Sequence, residues 1–136
     1  MNLLLDMAEA GMAYPQSCLM IKRYLDANRA KATNFVKALV EALFIAKRDR
    51  AMTIQVIKKY IRAAAEVYGI GYDYFLGTHA EGLLSMPDRK GVELVIAQLA
   101  KTNPKAKGQT VESLRVMEPS ILDELKRTGF IDKVRR

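Results

Sequence analysis

Between residues 28 and 48, apolar side chains recur at three- and four-residue steps: Ala32, Phe35, Val36, Leu39, Val40, Leu43 and Phe44. That spacing follows the 3.6-residue turn of a helix, so the segment is amphipathic and must bury its apolar stripe against other elements. Asn28 suits the N-cap, because its side-chain oxygen can accept from the unpaired amides of the first turn. Lys47 and Arg48 suit the partially negative C-terminal end. More than any other feature, this helix commits the chain to packing helices.

A second helix is expected almost at once, with Met52, Val56, Ile57, Tyr60, Ile61 and Ala64 on one face and Lys58, Lys59 and Arg62 on the other. So short a joint favours antiparallel packing of the two. Gly69 and Gly71 interrupt the pattern, and Tyr72, Phe75 and Leu76 suggest a shorter helix to about Ala80. Leu83 to Pro87 reads as a loop. Asp88 can then cap a helix striped by Val92, Val95, Ile96 and Leu99 and ending near Lys101. Thr102 to Thr110 is a polar connector. Pro119 opens a final helix through Leu125, Gly129 provides its left-handed cap, and Phe130 and Ile131 fold back on the helix end.

The first 27 residues are ambiguous. Leu3 to Leu5 and Ser17 to Ile21 read as short strands around an extended Tyr14-Pro15 step, yet Met20, Ile21, Tyr24 and Leu25 would equally suit a helix. Two short strands make only a marginal sheet, so strands here would need partners from elsewhere. The expected fold is therefore mainly α, with about five helices and one or two short N-terminal strands. The 136 residues read as one domain, irregular or strand-like over 1–27 and helical over 28–136.

With half of its residues apolar, a chain of this length can bury a core without disulfides or a structural metal. The lone Cys18 has no internal partner and reads as a small buried hydrophobe. The most apolar run, Ala38 to Ala46, is far short of the ~20 residues of a membrane helix and contains Glu41. No secretory signal is expected, because the first basic residue is Lys22 and Asp6 and Glu9 interrupt the opening.

Net charge is +7, and it is concentrated: residues 22–62 hold eleven Lys and Arg against Asp26, Glu41 and Asp49, a net +8. Such a face can attract polyanions. Here, however, the bases lie opposite apolar positions without interleaved aromatics, so a solvated helix face is the simpler reading and nucleic acid is not the expected partner.

Residues for catalysis are scarce. His79 is the only histidine and lies far from Cys18, no His, Cys, Asp and Glu cluster has metal-ligand spacing, and neighbouring carboxylates such as Asp123-Glu124 do not share a helix face. The glycines of 69–71 lack a third glycine and a preceding strand. Gly77 to Gly82 has the P-loop spacing but is followed by Leu83 and Leu84 instead of Lys and Ser or Thr. Tyr60, Tyr68, Tyr72 and Tyr74 suggest an aromatic pocket, but Tyr60 falls on its helix's apolar stripe, which makes core packing simpler. No enzyme activity, cofactor or metal is expected.

Taken in order, these features resemble the C-terminal part of the solute-binding proteins of ABC importers, in the group of nitrate, sulfonate, taurine and thiamine-precursor receptors. The match runs from the apolar opening with Asp6, through Tyr14-Pro15, to Lys22-Arg23-Tyr24-Leu25 before Asn28. It continues in the Phe35–Ala42 helix, the Lys58-Lys59-Tyr60 helix end and the Gly91-Val92 helix start. The Thr102–Gly108 connector and the Leu122–Asp132 terminal helix and tail complete it. Family members have two α/β lobes that close on a ligand, and this chain resembles only the later part of one. The resemblance implies a periplasmic or cell-envelope location, importer membrane subunits as partners and a small anionic or heterocyclic solute for intact relatives. The implied role is that of a shortened relative or fragment unable to bind solute alone. A relative that makes a thiamine precursor by consuming its own histidine needs residues from the missing half, so that chemistry is not expected.

By the same resemblance, Tyr14 and Ser17 are candidate ligand-binding residues on a hinge-side strand. The helices from Asn28 onward would pack on a sheet. Without that sheet an apolar face needs another cover, so a homodimer or swapped oligomer is expected, with Phe35, Leu39, Leu43 and residues 1–25 as its interface. The competing reading is a free-standing basic helical module that binds a protein or an anionic polymer between Lys22 and Arg62.

Overall fold

The computed structural model describes residues 20–76, 84 and 86–136. It is mainly α, as the hydrophobic periodicity predicts. Eight α-helices are present among the described residues: α1 (Lys22–Ala27), α2 (Arg29–Arg48), α3 (Arg50–Tyr60), α4 (Ala65–Tyr74), α5 (Arg89–Thr102), α6 (Val111–Leu114), α7 (Ser120–Arg127) and α8 (Phe130–Arg135). They fall into two compact units, one comprising 20–76, 84 and Pro119–Arg136, the other Met86–Glu118.

In the first unit, α2 is the hub and contacts α1, α3, α7 and α8. Ala32, Val40 and Phe44 of α2 form one core with Leu25, Ile121, Leu125 and Ile131, against which Val36, Leu84, Phe130 and Val134 also pack. Leu43 is buried as well but faces the α3–α4 side, where it lines a cavity. The single broad stripe read from the sequence is thus divided between two packing faces. Polar ties reinforce the first: Arg29 donates to the Ser120 hydroxyl at 2.5 Å, and the Arg135 guanidinium lies 5.9 Å from the centre of the Phe44 ring.

Four expectations about elements are corrected. Residues 22–27 are helical, and Ile21, the last residue of the expected Ser17 to Ile21 strand, is the extended N-cap of α1. The rest of that segment apart from Met20, and Leu3 to Leu5, lie outside the described residues. The second helix stops at Tyr60 instead of reaching Ala64, since Ile61 is extended. Tyr60 is 83% exposed and is no core residue. Finally, α4 runs straight through Gly69 and Gly71. A β-carbon on Gly69 would meet the Arg50 guanidinium at 3.0 Å, so that exposed side chain would have to give by a few tenths of an ångström to admit one.

The helix ends follow local chemistry. The Asp49 carboxylate accepts from the Met52 amide at 2.9 Å, and the Asp88 carboxylate accepts from the Gly91 amide at 3.2 Å, as expected of an N-cap. Gly129 has φ 71°, a left-handed conformation costly for a side chain with a β-carbon, and it links α7 to α8 so that Ile131 reaches the core.

In the second unit, α5 packs on the 3-10 turn Pro104–Ala106 and on α6. Ile96 and Val111 are buried. Thr110 and Ser113 form a reciprocal capping box at the start of α6, an element absent from the sequence expectation. Arg89 ties the unit together, bonding Glu93 at 2.8 Å and Glu112 at 2.5 Å.

Candidate functional site

The joint between α2 and α3 is short because Asp49 caps α3 immediately after α2 ends. The Thr53 hydroxyl, one turn further on, donates to the Asp49 carbonyl at 2.7 Å. The α3–α4 linker is held by Tyr68, whose hydroxyl donates to the Ile61 carbonyl and accepts from the Ala63 amide, both at 2.9 Å. The Tyr72 hydroxyl donates to the Ala46 carbonyl at 2.8 Å and fastens α4 to α2.

These ties hold the three helices around a cavity of about 520 Å³. Its wall is made by Leu39, Ala42, Leu43 and Ala46 of α2, Thr53 and Ile57 of α3, Ile61 and Ala63 of the linker, and Val67, Tyr68, Gly71 and Tyr72 of α4, with Phe75 and Leu76 beyond it. Every hydroxyl on that wall is engaged by a backbone carbonyl, so the lining presents hydrocarbon and ring faces. Cations sit over the two rings: Lys58 Nζ is 5.5 Å from the Tyr68 centroid, and the Arg50 guanidinium is 5.4 Å from that of Tyr72.

Arg50 also grips Asp73 with two parallel bonds of 3.0 Å. The Asp73 carboxyl is held below its ordinary range, first by the hydrogen bond from Arg50 and then by that residue's charge. A carboxylate with a lowered pKa in the folded state stabilises above its unfolded pKa, and that contribution is lost as pH falls through the lowered value. Both partners are exposed, so the effect on stability is small. Arg50→Gln should shift the Asp73 carboxyl titration, followed by NMR, upward toward the ordinary range, and an unmoved titration would show that the pair does not persist in solution.

Of the residues singled out from the sequence, Tyr14, Ser17, Cys18 and His79 lie outside the described residues. Phe35 and Leu39, assigned to an oligomer interface, are 48% and 45% exposed, whereas Leu43 is only 8% exposed and faces the cavity with Leu39. Tyr68 and Tyr72 do line a pocket, the reading set aside in favour of core packing; Tyr60 and Tyr74 are exposed. Ile57, Val67, Gly71 and Phe75 belong to the same wall. The tyrosines were the available signal, but their convergence depends on where α3 ends and on α4 continuing through its glycines.

Among the described residues no group of three or more His, Cys, Asp or Glu could hold a metal ion, and no helix is long and apolar enough to cross a membrane. The chain matches no protein family, no curated protein and no solved structure.

Proposed function

We propose that this chain is the later portion, or a shortened relative, of the solute-binding component of an ABC-type nutrient importer, a non-enzymatic protein whose helices are built to pack against a further lobe. One observation carries the reading. Among the described residues, large apolar side chains left exposed, such as Ile21, Phe35, Leu39, Val56, Ile61 and Ile70, outnumber the apolar residues that are buried. Exposed apolar side chains in such number suit cover by a further lobe or a second copy. The element order supports the same reading, since α2, the end of α3, the start of α5 and the α7–Gly129–α8 step coincide with the segments that carry the resemblance.

The test combines solution mass with thermal unfolding in the presence of nitrate, taurine and an aminopyrimidine, with and without the first lobe of an intact solute-binding protein. The expected result is self-association through surface that includes Phe35 and Leu39, with no solute response until the lobe is added. A monomer stabilised by one of these solutes on its own would overturn the proposal.

The second reading, a basic interaction module, is favoured by the end of α3 and the linker beyond it. Lys58, Lys59 and Arg62 are exposed there, and none joins an ion pair among the described residues. Binding to heparin that weakens steeply with added salt would select it.

A further inference from the structure

We propose that the cleft between α2, α3 and α4 is a binding site for a single-tailed anionic amphiphile of the medium-chain fatty acid class, with the tail among Leu39, Leu43, Ile57, Val67 and Phe75 and the carboxylate at Lys58. Three observations converge on this chemistry. The cavity, at about 520 Å³, lies within the range of roughly 300–1,000 Å³ typical of small-molecule sites. Its wall hydroxyls are engaged by backbone carbonyls, so water against the wall would find few partners there, while a hydrocarbon chain would bury no unpaired hydroxyl by entering.

Charge on the helices around the cleft supplies the head-group preference. The segment from Arg50 to Leu76 carries Arg50, Lys58, Lys59 and Arg62 against only Glu66 and Asp73, and Asp73 is already held by Arg50. Lys58 stands over the ring of Tyr68, a wall residue, and has no carboxylate partner among the described residues. Lys58 is not itself part of the wall, but its ammonium lies 5.5 Å from the Tyr68 ring, so a carboxylate beside that ring would meet it while the tail lay on the wall. The site lies among helices of one unit and does not depend on the importer reading, which stands or falls on the added lobe.

Gly71 supplies the decisive variant. It lines the cleft within a helix, and a β-carbon on it would meet nothing within 4 Å, so a larger side chain has open space beside the wall in which to compete with a ligand. Dodecanoate, kept below its micellar concentration, should raise the unfolding temperature and displace an anilinonaphthalene dye from the wild-type chain. Gly71→Leu should abolish both effects while keeping its helical signal. Lys58→Glu should weaken dodecanoate about tenfold or more, yet change binding of neutral dodecanol by no more than about twofold. No response of the wild-type chain to dodecanoate, or an undiminished response in Gly71→Leu, would overturn the site. Equal losses for dodecanoate and dodecanol in Lys58→Glu would overturn the carboxylate assignment. A dye-binding cleft closed by self-association and indifferent to dodecanoate would mean that a second copy is its occupant, and would also refute the proposal.

Discussion

Leu125→Ala is expected to destabilise the protein by about 2–5 kcal/mol, the range for emptying a fully packed leucine site. Leu125 is the most deeply buried of the large side chains, 1% exposed, and it sits in the one cluster that unites α1, α2, α7 and α8. Small domains have total stabilities of only about 5–15 kcal/mol, so this single truncation removes a large fraction of the reserve. Collapse around the hole is hindered by its neighbours: Ile121 lies one turn before it on α7, Ile131 packs from α8, and the Gly129 turn sets the angle between the two helices. Leu125→Met, which nearly conserves volume, should cost less than about 1.5 kcal/mol. Urea unfolding followed by far-ultraviolet circular dichroism distinguishes the two. Equal, small effects for both variants would show that the α2–α7–α8 core is loosely packed in solution.

Phe44→Ala should cost about 3–5 kcal/mol, because it removes a buried ring from the α2 side of the same core. Part of the loss is the contact with the Arg135 guanidinium near the chain's C-terminus, worth about 0.5–1 kcal/mol at an exposed site. Leu125 and Phe44 share one cluster, so the double variant should fall short of or exceed the sum of the singles by about 0.5–3 kcal/mol. Strict additivity in thermal or urea unfolding would place the two side chains in separate cores and contradict the packing described. Phe44 does not line the cleft, so its cost falls on the core, whereas Lys58→Glu, which loses the contact with the Tyr68 ring and places a negative charge in the last turn of α3, should lower stability by no more than about 1 kcal/mol.

The importer reading and the amphiphile site answer to different experiments. Lobe complementation addresses surface that the helices leave uncovered, and dodecanoate titration addresses space that they enclose. Phe35 belongs only to the first. Leu39 belongs to both, as it is partly exposed and also lines the cleft.

The amino-acid sequence alone determined what depends on neighbours a few residues away. The extent of α2 follows from its three- and four-residue spacing, the start of α5 from a carboxylate at Asp88, and the left-handed turn at Gly129 from the absence of a β-carbon. Tertiary structure decided what depends on distant partners. A stripe from Ala32 to Phe44 shows that α2 is apolar over a wide arc, but only α3 and α4 on one side and α1, α7 and α8 on the other divide it into two faces. Two glycines lower helix propensity by about 1 kcal/mol each, and the hold of Tyr68, Tyr72 and the Arg50–Asp73 pair outweighs that local preference. The cleft exists because of that override: helix propensity is a weak local term, and the cavity lies where packing and hydrogen bonds between distant segments exceed it.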